Sequence, residues 1–160
     1  MLIPIWQRLL GVLVYMLPWS DAIPFGKNLL AQVPVVVLRA LLLPAMPIWI
    51  VQSAIPWGGL GSLVLFLVLF LAVVRNPNVP YFLRFNTLQA LLLSIILSLL
   101  GLVFFEILQK PLEGTLIFNT LATTVLVAVF AIVIFALIEC LRGREPDLPG
   151  ISQAVRMQLY

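Results

Sequence analysis

The chain has 160 residues, 63% hydrophobic and 9% charged, with a net charge of +3 and a mean hydropathy of +1.19. A soluble domain carries about 25% charged residues, so this chain cannot cover a surface facing water and must be solvated by lipid. It has no histidine and a single cysteine, Cys140, which removes the commonest metal ligand and general base and excludes an internal disulfide or a thiolate cluster.

In chain order, the first stretch is "MLIPIWQRLLGVLVYMLPW", residues 1–19. It is apolar enough to insert, but Arg8 sits within it and Pro18 is expected to stop it. No basic segment precedes it and no A-x-A site follows, so it does not read as a signal peptide. Residues 2–17 are expected to lie in the interface or dip partly into the bilayer. Four apolar segments follow, at 33–52, 58–74, 86–108 and 115–141, against the roughly 20 residues a membrane helix needs. They run without period-two alternation, which excludes a β-barrel, and lipid tolerates no other open backbone. The expected fold is all-α and integral to the membrane. It is a four-transmembrane-helix bundle with an N-terminal interfacial or partly inserted helix, all of 1–160 forming one membrane domain.

Positive charge sets the orientation. Arg75 and Arg84 lie between the second and third spans, and Arg142, Arg144 and Arg156 follow the fourth, so an even number of spans separates two clusters on one side. That side is expected to be the cytoplasm or a plastid stroma. Both termini are placed there, with Arg8, Lys27 and a tail over 142–160. The positives form no Lys/Arg run and no aromatic-basic interleaving, so they are read as topology and headgroup contacts, not as a nucleic-acid surface.

Ionisable residues inside spans are the default functional candidates. Arg39 is placed near the inner face of the first span, either snorkelling to headgroups or lining a pathway. Glu106 and Lys110 stand at the i,i+4 spacing of an ion pair. Glu139 is expected to bridge to Arg84 or Arg142 and so to tie the fourth span to the loop before the third. Ala90, Ser94 and Ser98 recur every fourth residue with Gly101 beside them, a track that lets helices approach closely in lipid. Ala122, Thr123, Thr124, Ala128 and Ala131 of the fourth span are plausible partners for it. Asn119, a turn inside the fourth span, needs a hydrogen-bond partner, and Pro44 with Pro47 should kink the first span. No nucleophile–base pair, phosphate loop or paired buried acid appears, and no cofactor is called for. An enzyme is not expected.

The loop "RNPNVPYFLRFNTLQALLLS" then carries most of the remaining information. Arg75 and Arg84 hold its side, Asn76 and Pro77 end the second span, Asn86 or Thr87 is expected to cap the third, and Gln89 faces inward or toward headgroups. "VRNPNVPYFLRFNTLQALLL" resembles the family of the twenty-kilodalton subunit of the chloroplast inner-envelope protein-import translocon and its cyanobacterial relatives. "RLLGVLVYMLPWSDAIPFG", "GGLGSLVLFLVLFLAVVRN" and "LPGISQAVRMQLY" agree in order. The motif residues are Ser20, Asp21, Pro24, Phe25 and Gly26 in the first element and Arg75, Asn76, Pro77, Arg84, Phe85, Asn86 and Gln89 in the second.

The resemblance implies a four-helix membrane protein with both termini cytoplasmic or stromal, part of a preprotein-conducting assembly. Its role would be binding and conduction, with no catalytic residue to carry over. With no Arg/Ser-rich transit segment, the chain reads as a cyanobacterial or plastid-encoded member, at home in a cyanobacterial plasma or thylakoid membrane or a plastid inner membrane. A bundle of this size cannot enclose a peptide-wide pore, so its expected partners are lipid, other membrane subunits in a homo- or hetero-oligomer, and preproteins. Two other readings compete. One is an accessory or assembly subunit of a photosynthetic or respiratory complex. The other is a small-solute channel using Arg39 and the kinked first span, which would show buried partners for Arg39 beside a wet cavity.

Overall fold

A computed structural model describes residues 3–55 and 60–159, all of its regular structure helical. In chain order we label α1 (Ile5–Leu30), α2 (Val35–Leu42), α3 (Met46–Ser53), α4 (Gly61–Val74), α5 (Tyr81–Leu112), α6 (Leu116–Leu141) and α7 (Ile151–Leu159). Among them α1, α5 and α6 are long and apolar enough to cross a membrane.

The first element departs from the sequence reading. Pro18 does not stop it. The helix breaks at Tyr15 and restarts at Met16, which puts Pro18 in a new first turn, where its missing N–H has no intrahelical acceptor to lose. Pro24 opens a 3₁₀ turn, Ile23–Gly26, in the same way. The element therefore runs 26 residues, and its apolar stretch is 56% buried against 28% for α5 and for α6. It is the centre of the bundle, not a helix on its rim.

Its neighbours fix the directions. Gly11 lies against Phe82 and Cys140, Phe25 against Phe104 and Phe105, and Gly26 against Leu126. Trp19 stacks on Phe130 at 3.9 Å between centroids. Rising numbers in α1 thus meet rising numbers in α5 and falling numbers in α6: α1 is parallel to α5 and antiparallel to α6, wedged between them.

The return is made in pieces. α2 starts near the end of α1, with Leu38 beside Lys27 and Leu30. At mid-depth the carbonyl of Leu41 accepts from Trp19 Nε1 at 2.8 Å. The chain then bends by 57° into α3, at Pro44 and Pro47 as expected, because Pro44 cannot donate and Pro47 sits in the first turn of α3. α3 packs on α4, and the close approach is a glycine: a Cβ on Gly61 would stand 2.3 Å from the Gln52 carbonyl oxygen. α4 ends in a π-helical turn, Phe70–Val74, with Arg75 N–H donating to Phe70 O at 2.9 Å. At 1.5 Å per residue α2 is ~12 Å long and α4 ~21 Å, so neither reaches the ~30 Å of a hydrocarbon core. α2 and α3 together are long and apolar enough for one bent span and α4 is a shorter apolar helix, so with α1, α5 and α6 the candidate crossings among the described residues number up to four. Residues 58 and 59 of the expected second span lie outside the described residues.

Three boundaries also move. α5 begins at Tyr81, directly after Pro80, and not at residue 86. Asn86 lies in its second turn and caps nothing. Past Gly101 the helix widens into a π-helical stretch, Leu102–Leu108, and continues to Leu112. α6 matches the expected fourth span closely. It ends at Gly143, whose φ of 72° closes a C-cap with Gly143 N–H on Cys140 O and Arg144 N–H on Glu139 O. Residues 142–159 do not trail away: α7 folds back onto α5.

Candidate functional site

Six of the nine cationic side chains (Arg8, Arg75, Arg84, Arg142, Arg144, Arg156) gather at one end of the bundle. Arg8 Nε donates to Ile3 O and its Nη1 to Leu141 O, which joins the start of α1 to the end of α6. Lys27, expected on this side, is at the opposite end, because α1 passes fully through. Arg39 goes with it. It is exposed on α2, near the level of Lys27, and forms no ion pair among the described residues.

Beneath the arginine end lies a polar network with no exposed atom. Tyr15, Asn86, Gln89 and Ser152 are each 0% exposed. Tyr15 Oη donates within reach of Gln89 Oε1 at 2.9 Å and Asn86 Oδ1 at 3.2 Å. Gln89 Nε2 donates to Ser152 Oγ at 2.9 Å and Pro146 O at 3.2 Å, and Asn86 Nδ2 to Phe82 O at 2.8 Å. Ser152 Oγ also accepts from Leu148 N–H at 2.7 Å and donates to Pro146 O at 3.1 Å. Cys140 contributes its thiol to Asn86 Oδ1 at 3.0 Å. One amide from the re-entry motif thereby ties α1, α5 and the C-terminal tail into a unit. Arg84 Nε donates to Val74 O at 2.9 Å, bracing α4, and Arg156 lies 5.8 Å over the buried Phe85 ring. Asn76 Oδ1 accepts from Asn78 N–H at 3.0 Å, an Asx turn ahead of α5. Tyr15 and Ser152 were not singled out by sequence reasoning. Only their membership in quoted motifs marked them.

Of its two expected partners Glu139 meets Arg142, at 2.8 Å across the end of α6, and not Arg84, whose guanidinium is committed to backbone, so the bridge does not tie α6 to the loop before α5. Glu106 and Lys110 form no pair, since Glu106 lies in the π-helical stretch Leu102–Leu108, which shifts the register to Lys110 out of the 3.6-residue period.

The small-residue track does not run against its five expected partners on α6, because α1 stands between α5 and α6. Ala90 is buried in the main core, Gly101 faces Phe25 and Phe105, and Ser94 and Ser98 face Asp21 on α1 and Ser62 on α4 across a cavity of about 290 Å³. Ser20 is turned away from it, donating to Leu17 O at 2.7 Å. At the far end, Asn119 finds its partner in Asn28. Both line a hollow of about 700 Å³ with Lys27, Gln109, Glu113 and Phe25. A shallower groove of about 530 Å³ continues along Thr120, Thr124 and Ala128. Among the described residues, no three His, Cys, Asp or Glu are grouped to hold a metal ion.

The motif residues are thus the joints of one packing scheme, and residues 4–155 match the profile described as the chloroplast import apparatus, Tic20-like. The chain belongs to that family. It is 37% identical over 153 residues to a Tic20 family protein of Synechocystis, covering 96% of this chain and 92% of the relative. It is 33% identical to the Tic20 family protein Ycf60 of Gracilaria tenuistipitata, over 98% of this chain and 77% of the relative. To protein TIC 20-v, chloroplastic, of Arabidopsis thaliana it is 29% identical, over 96% and 71%. Membership in the Tic20 family makes the chain a membrane protein of the protein-import type.

Proposed function

We propose that the chain is a non-enzymatic membrane subunit of a protein-translocation apparatus, with both termini and the arginine end on the cytoplasmic or stromal side. The observation that carries this is the Tic20-like match across nearly the whole length, residues 4–155. The cationic asymmetry supports the orientation, because Lys and Arg are retained on the side from which insertion starts.

The packing supports a subunit and not a self-contained pore. α1 fills the centre of the bundle, and the described hollows open on its flanks, so a polypeptide would travel between this subunit and its neighbours. A solute pathway through Arg39 is disfavoured by the exposure of that residue, which forms no ion pair among the described residues.

The test is cross-linking in native membranes, mild-detergent purification and identification of what travels with the protein. Secretory or import-type components, or precursors trapped in transit, are expected. Stoichiometric recovery with a photosynthetic or respiratory complex and no translocation component would overturn the proposal in favour of an accessory subunit.

A further inference from the structure

Asp21 stands at mid-depth. It lies about one turn past the midpoint of α1, and its cavity partners Ser94 and Ser98 flank the midpoint of α5. A carboxylate there costs roughly 2.5 to 3.5 kcal/mol on insertion scales unless something compensates it. Among the described residues no cation lies within ion-pair distance of it.

The surrounding polar groups are neutral serine hydroxyls, and no cationic donor stands among them. The Ser98 hydroxyl spends its proton on Ser94 O at 2.9 Å and so turns lone pairs outward. Ser94 is 7% exposed, and its hydroxyl meets no partner at hydrogen-bonding geometry, although it faces the Asp21 carboxyl. The remaining walls are apolar, and they open on a flank where Leu63 is 52% and Leu99 62% exposed. About 290 Å³ is far more than a bare ion needs. The shape and lining suit an apolar stem that ends in a cationic donor, which is how lysine and arginine bury themselves.

We propose that this cavity receives a lysine or arginine side chain from the apolar helix of a second membrane segment lying against α4 and α5, its head pairing with Asp21 beside Ser62, Ser94 and Ser98. Such a helix can dock whether or not the chain carries precursors, so failure of either proposal leaves the other standing.

The test uses the full-length chain in phosphatidylcholine–phosphatidylglycerol nanodiscs. The probe is a fluorescent polyleucine helix of about 20 residues with one lysine at its midpoint, compared with a twin carrying glutamine there. The lysine probe is expected to bind about tenfold more tightly, a 1.4 kcal/mol preference. The isosteric D21N variant should erase the preference while helix content and unfolding midpoint stay unchanged, and D21E should retain part of it. Equal binding of the two probes to the native chain, or a preference that survives D21N, overturns the proposal.

Should D21N fail to insert, the native chain decides by carbodiimide labelling. Dicyclohexylcarbodiimide adds a carboxylic acid across its N=C=N unit, the oxygen bonding the central carbon and the proton passing to nitrogen. The lysine probe should protect Asp21 from this reagent and the glutamine twin should not. Equal labelling in the presence of either probe also overturns the proposal.

Discussion

The two ends of the bundle are built on opposite terms. At the arginine end, buried donors and acceptors are spent on one another, and the chain's N-terminal helix, re-entry loop and tail are joined by side chains with no exposed surface. At the other end, polar groups line a wide hollow, and Asn28 and Asn119 hold each other at its edge. Buried polar groups are costly when unpaired and rigidifying when fully paired. One end therefore fixes the fold, while the other leaves surface for something else to cover. That contrast suits a subunit that must stay folded while neighbours or cargo move along its flank.

The contrast can be broken first at Gln89. Replacing it with leucine keeps the volume but removes the nearer acceptor of Tyr15 and the donor to Ser152 and Pro146, and should cost about 2 kcal/mol. It should also free α7, read as a lower unfolding midpoint and faster tryptic cutting at Arg144. If α7 stays protected, the amide does not hold the tail. Next comes Gly143→Ala, which forces a side chain into left-handed backbone for about 1 to 2 kcal/mol and pushes a Cβ to 3.0 Å from Arg8 Nε. The same thermal measurement reads it, and an unchanged midpoint would show that the joint between α1 and α6 is loose.

At the open end the expected effects shrink. Asn28→Ala removes a hydrogen bond at an exposed edge and should cost under about 1 kcal/mol. A loss equal to that of Gln89→Leu would erase the distinction between the two ends. The smallest effect belongs to Glu139→Gln. Its partner Arg142 is 61% exposed, so the pair is worth about 0.5 kcal/mol or less. An effect that vanishes in high salt would confirm that solvent screens it.

Parts of the fold were legible because they rest on local physics. The fourth span was read as 115–141 and is Leu116–Leu141, since a long apolar run between polar ends has one solution in lipid. The kink at Pro44 and Pro47 follows from a missing N–H, and the gathering of arginines on one side follows from parity. Other parts were misread for equally physical reasons. Pro18 breaks a helix in the middle but tolerates its first turn, and whether a new first turn begins at Met16 depends on Tyr15 finding Gln89 and Asn86, more than 70 residues away. Ser94 and Ser98 were read as a helix-packing track because small residues at that spacing usually are one; that they face Asp21 required knowing that α1 enters between α5 and α6.

By itself, the sequence determined that this chain lives in lipid, that it is helical, which end carries the positive charge, and, through its motif order, the family it belongs to. Each follows from transfer free energy and backbone hydrogen bonding, which act on segments one at a time. The tertiary structure alone decided which apolar segment takes the centre, how the short helices α2 and α3 join at a 57° bend, and which polar residues meet. Several segments here are equally able to enter the membrane, and only the pairing of their buried polar groups separates one arrangement from another.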